Sequence, residues 1–124
     1  MTKEVITRGA FFELPFPPSV NTYWRHWQGR TLISARGREY RAQVRGLVMA
    51  QKNGPAALYG PLAVHLQAWL PDRRNRDVDN LAKAPLDALT HAGVWQDDGQ
   101  IVDLRITKQV SVKPGKLQVW IREV

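Results

Sequence analysis

The segment Pro71-Asp-Arg-Arg-Asn-Arg-Asp-Val-Asp-Asn80, with its continuation to Asp98, decides how the rest of the chain is interpreted. Most of the acidic residues lie in this segment or just beyond it, and these are Asp72, Asp77, Asp79, Asp87, Asp97, Asp98 and Asp103. The remainder of the chain is basic, and carboxylates gathered in one place repel each other. A divalent cation among them would offset that repulsion, so the segment predicts a metal site.

The first two carboxylates, Asp77 and Asp79, stand two residues apart. If the chain from Arg76 to Asp79 is extended, side chains two apart point to the same side, so both carboxylates face one way. Residues 80–93 then predict a helix with Asp79 as its N-cap, where the helix dipole favours an anion. Lys83 lies one turn beyond Asp79 on the same side of this helix.

The third carboxylate of the predicted site is Asp98. A helix of about a dozen residues advances about 20 Å, and an extended return from Gly93 to Asp98 covers about 17 Å. An antiparallel return therefore brings Asp98 back towards Asp79, within reach of the Lys83 ammonium. Hard oxygen ligands of this kind suit Mg²⁺, and the lysine suits a phosphate or a developing negative charge.

Pro85 interrupts the helix pattern, because its ring is expected to clash with the carbonyl of Leu81. We expect either a kink or a helix that starts properly only near Ala84. Gly93 is the predicted stop of this helix.

Motifs in both halves of the chain occur in a consistent order. The acidic motifs are Arg76-Asp-Val-Asp-Asn-Leu81, Lys83, Leu86-Asp-Ala-Leu89 and Trp95-Gln-Asp-Asp98. The N-terminal motifs are Leu14-Pro-Phe-Pro-Pro-Ser-Val-Asn21, Tyr23-Trp-Arg25 and Gly29-Arg-Thr-Leu-Ile-Ser34. Together they resemble the RusA family of Holliday-junction resolvases over nearly the whole chain. The resemblance implies a homodimeric, Mg²⁺-dependent endonuclease that nicks branched, four-way DNA junctions symmetrically, in DNA recombination and repair.

The resemblance also implies roles for individual residues. Carried over by position, the catalytic, metal-binding acids of the family fall on Asp77, Asp79 and Asp98, and its catalytic lysine falls on Lys83. Pro85 departs from the family pattern. Two neighbours, Asn80 and Asp97, are expected beside the ligands. Asn80 orients a carboxylate or the backbone. Asp97 either contacts the ligands without binding the metal or faces the solvent.

Composition narrows the class of protein. A chain of 124 residues predicts one domain over 1–124, and the lack of cysteine excludes disulfides and thiolate metal sites. The three histidines, His26, His65 and His91, show no zinc-ligand spacing. With no apolar run of membrane-spanning length and no signal peptide, we expect a soluble, cytoplasmic protein. A formal net charge of +7 favours a polyanionic partner such as DNA.

Three groups of residues are predicted to contact DNA. An aromatic and basic stretch follows the N-terminal prolines; its aromatic side chains either stack on bases or form a small core under a loop. A helix capped by Ser34 and ended by Asn53-Gly-Pro55 carries an arginine-rich outer face. Arginines beside the acids either neutralise them or hold the DNA backbone. The predicted contacts are Tyr23, Arg25, Arg38, Arg41, Arg45, Arg73, Arg74 and Arg76.

Alternating apolar residues predict the strands 10–14, 62–70, 102–106 and 117–121. The last two read as an antiparallel hairpin, and the helix between the first two permits them to pair in parallel. The fold prediction is α/β (α+β two-layer), β-α-β-α-β-β, with one mixed sheet and two helices mainly on one face. Trp120 on the last strand is a candidate for the subunit contact of the dimer.

Two other functions remain open from the residues alone. A non-catalytic basic DNA-binding module would use only the arginine-rich helix and the aromatic residues. A nucleotide-sugar transferase also uses an Asp-x-Asp motif with a metal, but the chain is short for such an enzyme and has no glycine-rich phosphate loop.

Overall fold

The computed structural model describes residues 9–51 and 57–124. In chain order its helices and strands are β1 (Gly9–Pro15), α1 (Val20–Tyr23), β2 (Trp24–Trp27), β3 (Arg30–Ile33), α2 (Ala35–Ala50), β4 (Leu62–Trp69), α3 (Lys83–His91), β5 (Ile101–Gln109) and β6 (Lys116–Glu123). Two 3-10 turns, Val78–Leu81 and Asp98–Gln100, flank α3 in the sequence. None of the helices described here is long and apolar enough to cross a membrane.

The central layer is a four-stranded mixed sheet with the strand order β1-β6-β4-β5. β4 pairs in parallel with β5 and antiparallel with β6, and β6 pairs antiparallel with β1. The predicted mixed sheet is therefore confirmed.

One face of this sheet and the helices enclose a single apolar core. Alternate residues of β4, from Leu62 to Ala68, are buried together with their neighbours on β6, from Leu117 to Ile121. Tyr40 and Val44 of α2 and the buried residues of α3 complete the cluster. Each fully buried aliphatic side chain contributes about 1.5–3 kcal/mol relative to an exposed one, so this alternation fixes which face of β4 meets the helices.

The predicted C-terminal hairpin is wrong, because β4 lies between β5 and β6. α3 is the crossover that parallel pairing of β4 and β5 requires. The loop 110–115 then passes the end of β4, where the backbone N–H of Val112 donates to the carbonyl of Leu70 at 2.9 Å. A two-residue turn joins neighbouring strands, which lie about 4.8 Å apart. This six-residue loop instead passes β4 and leads to β6 on its other side. The parallel pair that the sequence permits for the first and second long strands does not form, since β6 separates β1 from β4.

The structure adds a small hairpin, β2–β3, and the short helix α1 to the predicted elements. The turn of the hairpin consists of Gln28 and Gly29, which have φ angles of 48° and 72°. Two successive positive φ angles are typical of the tight turn whose twist matches a hairpin. Gln-Gly is a weaker signal for it than Asn-Gly, and no hairpin was predicted here.

Helix α2 begins where predicted, because the Ser34 Oγ accepts from the backbone N–H of Gly37 at 2.9 Å. It ends at Ala50, and the predicted stop Asn53-Gly-Pro55 lies outside the described residues.

The predicted helix over residues 80–93 is divided in two. The chain forms the 3-10 turn Val78–Leu81 first, and α3 begins only at Lys83. Asp79 thus lies inside the turn, so its predicted N-cap role is wrong, and the extended path predicted from Arg76 to Asp79 stops after Asp77. Pro85 is the third residue of α3, where its missing N–H would have no partner within the helix in any case.

The C-terminal end of α3 follows the prediction. Gly93 has a φ of 82°, and its N–H donates to the carbonyl of Thr90 at 3.0 Å. A glycine in this left-handed conformation is the common way to end a helix.

Candidate functional site

Asp77 and Asp79 lie on the connection between β4 and α3. The backbone N–H of Asn80 donates to the carbonyl of Asp77 at 3.2 Å, which closes the 3-10 turn. One residue before it, the carbonyl of Arg76 accepts from the Lys108 Nζ on β5 at 2.8 Å. Both carboxylates are exposed, and neither makes a hydrogen bond or ion pair with the residues that the structure describes. The fold thus fixes the backbone here, while both carboxylates lack a hydrogen-bond or ion-pair partner among the described residues.

Asp98 begins the 3-10 turn that leads into β5. Asp97 caps this turn by accepting from the N–H of Gly99 at 2.8 Å, and the Gln100 Oε1 accepts from the N–H of Asp97 at 3.1 Å. The Gln100 Nε2 in turn donates to the carbonyls of Leu58 and Gly60. Asp97 therefore shapes the turn, while the carboxylate of its neighbour Asp98 has no partner within 9–51 and 57–124.

Lys83 is the first residue of α3 and is exposed. The turn before it packs against β5, and α3 packs against the turn that begins at Asp98. The Lys83 ammonium has no ion pair or hydrogen bond in the described part of the chain. The structure thereby keeps a free cation at the end of the connection that holds Asp77 and Asp79.

A divalent metal would need several of these side chains at once. Aspartate oxygens without internal partners are the donor type that Mg²⁺ prefers, so the chemistry of the three acids fits the ion. Across the described residues, however, no three His, Asp or Glu side chains converge closely enough to hold a metal. The structure does not bring Asp77, Asp79 and Asp98 together, and this ligand set stays a prediction.

Tyr23 is an internal residue rather than a surface one. Its side chain is fully buried, and its hydroxyl donates to the Asp87 Oδ2. The Arg41 Nε donates to the same oxygen at 2.9 Å and to the Tyr23 hydroxyl at 3.0 Å. Burial, followed by the hydrogen bond to Asp87, raises the pKa of Tyr23, so the hydroxyl stays protonated. This Tyr23–Arg41–Asp87 network joins α1, α2 and α3.

The network does not fit the predicted DNA contacts of Tyr23 and Arg41. The tyrosine ring has no face open to a base, and the Arg41 guanidinium is paired with Asp87 at 2.8 Å. The alternative prediction, in which the aromatic residues form a small core, accounts for Tyr23. The sequence around Tyr23 and Arg41 does not indicate this pairing, because the acidic partner, Asp87, lies far along the chain on α3.

The remaining predicted DNA-binding arginines lie at the surface, except Arg76, which is half-buried. Arg38 donates from its guanidinium to the carbonyl of Ile33 at 3.2 Å, and Arg76 forms a double hydrogen bond to Asp72 at 2.5 and 3.1 Å. The Arg76 guanidinium and the N–H of Arg74 lower the pKa of Asp72 to about 2. Arg25, Arg45, Arg73 and Arg74 expose their side chains.

A cleft of about 270 Å³ opens beside Asp77, and Phe16, Asn75 and Asn80 help to line it. Phe16 and Asn75 were not predicted as site residues. Phe16 comes from the loop after β1 and reaches the cleft only through the fold. A larger hollow of about 370 Å³ lies on the opposite, open face of the sheet, between His65, Arg105 and Trp120. That hollow contains none of the predicted catalytic residues.

The chain is similar to known proteins over the segment that contains these residues. Residues 15–122 match the protein family described as Endodeoxyribonuclease RusA. The chain is 47% identical over 113 residues to the crossover junction endodeoxyribonuclease RusA of Shigella sonnei strain Ss046, covering 90% of this chain and 92% of that protein. It is 46% identical to the proteins of the same name from Escherichia coli strain K12, over 113 residues, and from Enterobacteria phage 82, over 111 residues, with the same coverage.

The match includes the acidic connection, α3 and the turn at Asp98, so it covers every predicted catalytic residue. The aligned region covers 92% of the Shigella sonnei protein and 92% of the Escherichia coli K12 protein. The chain therefore belongs to the RusA family of endodeoxyribonucleases, as its motifs predicted.

Proposed function

We propose that this protein is a Mg²⁺-dependent endodeoxyribonuclease that resolves four-way DNA junctions by paired symmetric nicks, in recombination and repair. The observation that carries the proposal is the family match over residues 15–122, which contains Asp77, Asp79, Lys83 and Asp98. The uncommitted state of these four side chains supports it, because a metal site and a phosphate site both need groups without internal partners.

Asp77, Asp79 and Asp98 are the proposed ligands of Mg²⁺. When bound, the ion lowers the pKa of a water molecule and polarises the phosphoryl oxygen. Local anchoring of the backbone supports this assignment: the carbonyl of Arg76, next to Asp77, is bound by Lys108 of β5, and the capping box of Asp97 holds the turn that begins at Asp98. Lys83 donates to a phosphate oxygen and stabilises the charge that develops during cleavage.

The DNA backbone is proposed to follow arginines beside the acidic connection and on α2. Arg73, Arg74 and Arg76 adjoin Asp77 in the sequence, and Arg38 and Arg45 lie on α2. Phosphate contacts of this kind position the substrate without reading its sequence.

A homodimer is the proposed assembly, since two nicks at symmetric positions require two copies of a site related by a two-fold axis. The open face of the sheet is the proposed subunit contact. On it, Trp120 is 49% exposed and Phe11 is 40% exposed, with their ring centroids 4.3 Å apart. An exposed aromatic pair on the open face of a sheet is typical of the centre of an interface.

The proposal is tested with a synthetic four-way junction and a linear duplex of the same sequences, each incubated with the protein with and without Mg²⁺. We expect two symmetric nicks in the junction when Mg²⁺ is present and none in the duplex. Binding of the junction without any cleavage at all, in Mg²⁺ and in Mn²⁺, would favour the non-catalytic DNA-binding module. In that case Asp77→Asn would also bind and function as the wild type does.

A further inference from the structure

The hairpin β2–β3 carries an exposed aromatic side chain that the proposed cleavage does not use. Trp27 is 59% exposed, and its ring contacts no other ring and no cation among the residues that the structure describes. Tryptophan side chains normally bury a large apolar surface, and they are enriched where a protein meets a partner. Trp27 is therefore a candidate contact for a partner molecule.

The side chains of this hairpin divide between two faces, because successive residues of a strand point to opposite sides. Trp24 and its cross-strand partner Ile33 lie on the inner face and pack against the core. Trp27, its cross-strand partner Arg30, and Arg25 lie on the outer face, and all three are exposed. Neither arginine makes an ion pair within 9–51 and 57–124. The outer face thus presents one aromatic ring together with two unpaired guanidinium groups.

The turn of the hairpin stands clear of the rest of the described chain, whereas its base is fixed. Gln28 and Gly29 are exposed, and a Cβ added to Gly29 would meet no atom within 4 Å outside its chain neighbours. At the base, the Ser34 Oγ donates to the carbonyl of Thr22 at 2.6 Å, and the Ser34 N–H donates to the carbonyl of Tyr23 at 2.9 Å. The hairpin therefore presents Trp27 to solvent from a fixed base.

The base of the hairpin is also connected to the helix that begins at Lys83. The Trp24 ring lies 5.0 Å from the Tyr23 ring, and the Arg41 guanidinium lies 6.0 Å from the centroid of the Trp24 ring. Tyr23 and Arg41 both donate to Asp87 on α3. The hairpin and the proposed catalytic lysine are thus attached to the same Tyr23–Arg41–Asp87 network.

We propose that Trp27 stacks on an unpaired base at the crossover of a four-way junction, while Arg25 and Arg30 bind the phosphates beside it. An exposed tryptophan face accepts an unstacked base of any sequence, because every base has a π face. Unpaired guanidinium groups suit the DNA backbone, as does the net charge of +7. A linear duplex offers the phosphates without the unpaired base. The inference rests on the proposed junction cleavage, and it assigns the selectivity for branched over linear DNA to the outer face of the hairpin.

The test measures the affinity of the protein for a four-way junction and for a linear duplex in the absence of Mg²⁺, so that no DNA is cleaved. Trp27→Ala should weaken binding of the junction by about tenfold, within the range of a lost base–aromatic stack, and leave binding of the duplex unchanged. Trp27→Phe, which retains an aromatic face, should keep most of the preference. The matched control is His26→Ala, on the opposite face of the same strand, and it should bind both DNAs as the wild type does.

Two further measurements separate stacking from phosphate binding. The double variant Arg25→Gln with Arg30→Gln should bind both DNAs more weakly, and the slope of log affinity against log salt should fall by about two. Junctions that carry 5-iodouracil at each crossover position should cross-link to Trp27 on irradiation, as located by mass spectrometry. The same base inside the duplex should give no cross-link to Trp27.

The hairpin proposal and the proposed function fail separately in these measurements. A wild type that prefers the junction through Trp27 but cleaves no DNA in Mg²⁺ would refute the proposed function alone. Three results would refute the hairpin proposal, whether or not DNA is cleaved: unchanged junction affinity in Trp27→Ala, an equal loss of junction and duplex affinity in that variant, or a wild type without preference for the junction. Circular dichroism establishes that each variant is folded. If Trp27→Ala does not fold, the cross-link to Trp27 decides.

Discussion

The seven clustered aspartates fall into two groups, those that have a partner within the described chain and those that have none. Three are committed to internal partners: Asp72 to Arg76, Asp87 to Arg41 and Tyr23, and Asp97 to the turn that it caps. The four others, Asp77, Asp79, Asp98 and Asp103, have no partner in the described chain, and Asp103 faces the hollow on the open side of the sheet. Sequence reasoning assembled the acidic segment from residue type and spacing, which cannot reveal these long-range partners.

The first prediction concerns the three proposed ligands. Asp77→Asn, Asp79→Asn or Asp98→Asn should each lower the cleavage rate by at least about a hundredfold, because a bound metal contributes several kcal/mol of transition-state stabilisation. Junction affinity should stay near the wild-type value, since no positive charge is removed. Cleavage and gel-shift assays at one salt concentration measure the two effects.

The control for these variants is Glu39→Gln, which changes the net charge equally but replaces an exposed acid on α2. It should cleave as the wild type does. If one of the three ligand variants retains a near wild-type rate, that residue is not a required ligand.

The second prediction concerns Asp72 and pH. Its pKa is lowered from 3.8 to about 2 by Arg76 and by the N–H of Arg74. Because the folded pKa lies below the unfolded one, the interaction stabilises the fold above about pH 4 and is lost as the pH falls towards about 2. Asp72→Asn should therefore be less stable than the wild type at neutral pH, and the difference should shrink across this window.

Urea unfolding at several pH values measures this difference, and an NMR titration of the Asp72 carboxyl measures the pKa itself. Arg76→Gln should return that pKa towards its ordinary value. A carboxyl that titrates near 3.8 in the wild type would contradict the pairing with Arg76.

At the scale of elements, the three helices are held together at one point. Tyr23 ends α1, Arg41 lies in α2, and Asp87 lies one turn beyond Lys83 in α3. The Tyr23–Arg41–Asp87 network therefore sets the position of the helix that carries Lys83. The sequence predicted α2 through its N-cap, and most of α3 through its apolar spacing and the stop at Gly93; these are local properties. It missed α1 and β2–β3, because a four-residue element carries too little periodicity to be recognised.

The third prediction measures this network. Tyr23→Phe removes one buried hydroxyl and should lower the free energy of unfolding by about 1.5–3 kcal/mol, the range for a hydrogen bond to a charged group. Tyr59→Phe is the matched control, because Tyr59 is 58% exposed, and it should change stability only slightly. Equal stabilities for the two variants in chemical denaturation would mean that the hydroxyl of Tyr23 contributes nothing.

The fourth prediction compares two glycines of α2. A Cβ at Gly37 would lie 2.5 Å from the carbonyl oxygen of Tyr23 and 2.7 Å from the Cγ1 of Ile33, whereas a Cβ at Gly46 meets nothing within 4 Å. Gly46→Ala should stabilise the protein by about 0.8–1 kcal/mol through helix propensity. Gly37→Ala should destabilise it, because α2 must move away from α1.

Thermal unfolding of the two alanine variants gives the comparison directly, since both add the same methyl group to the same helix. A Gly37→Ala protein as stable as Gly46→Ala would show that α2 and α1 are not in close contact at this point.

At the scale of the whole molecule, the strand order was the largest error of sequence reasoning. Alternation of apolar residues located β4, β5 and β6 correctly, but it does not report which strands are neighbours. That choice depends on the crossover through α3 and on the reach of the loop 110–115, which are properties of the assembled sheet. The family, in contrast, was predicted correctly, because its motifs are local and keep their order.

The fifth prediction concerns the proposed dimer. Light scattering should show a dimer without DNA, and Trp120→Glu should shift it towards the monomer, because a charge would replace the exposed ring at the proposed contact. His26→Glu, on the hairpin β2–β3, is a control that adds a carboxylate at an exposed position elsewhere.

Mixed wild-type and Asp77→Asn subunits should give heterodimers that nick one strand only. A wild type that stays monomeric at micromolar concentration would contradict this assembly.

The place of β6 between β1 and β4 has a consequence for how the protein is made on the ribosome. β1 leaves the ribosome early, yet its pairing partner begins only at Lys116. At a synthesis rate of about 5–20 residues per second, β1 waits several seconds with its edge open, and β4 waits with one side unpaired. The nascent chain can form α2 and the β4–α3–β5 unit, but its sheet closes only after β6 has emerged, so β6 is the strand that completes the sheet.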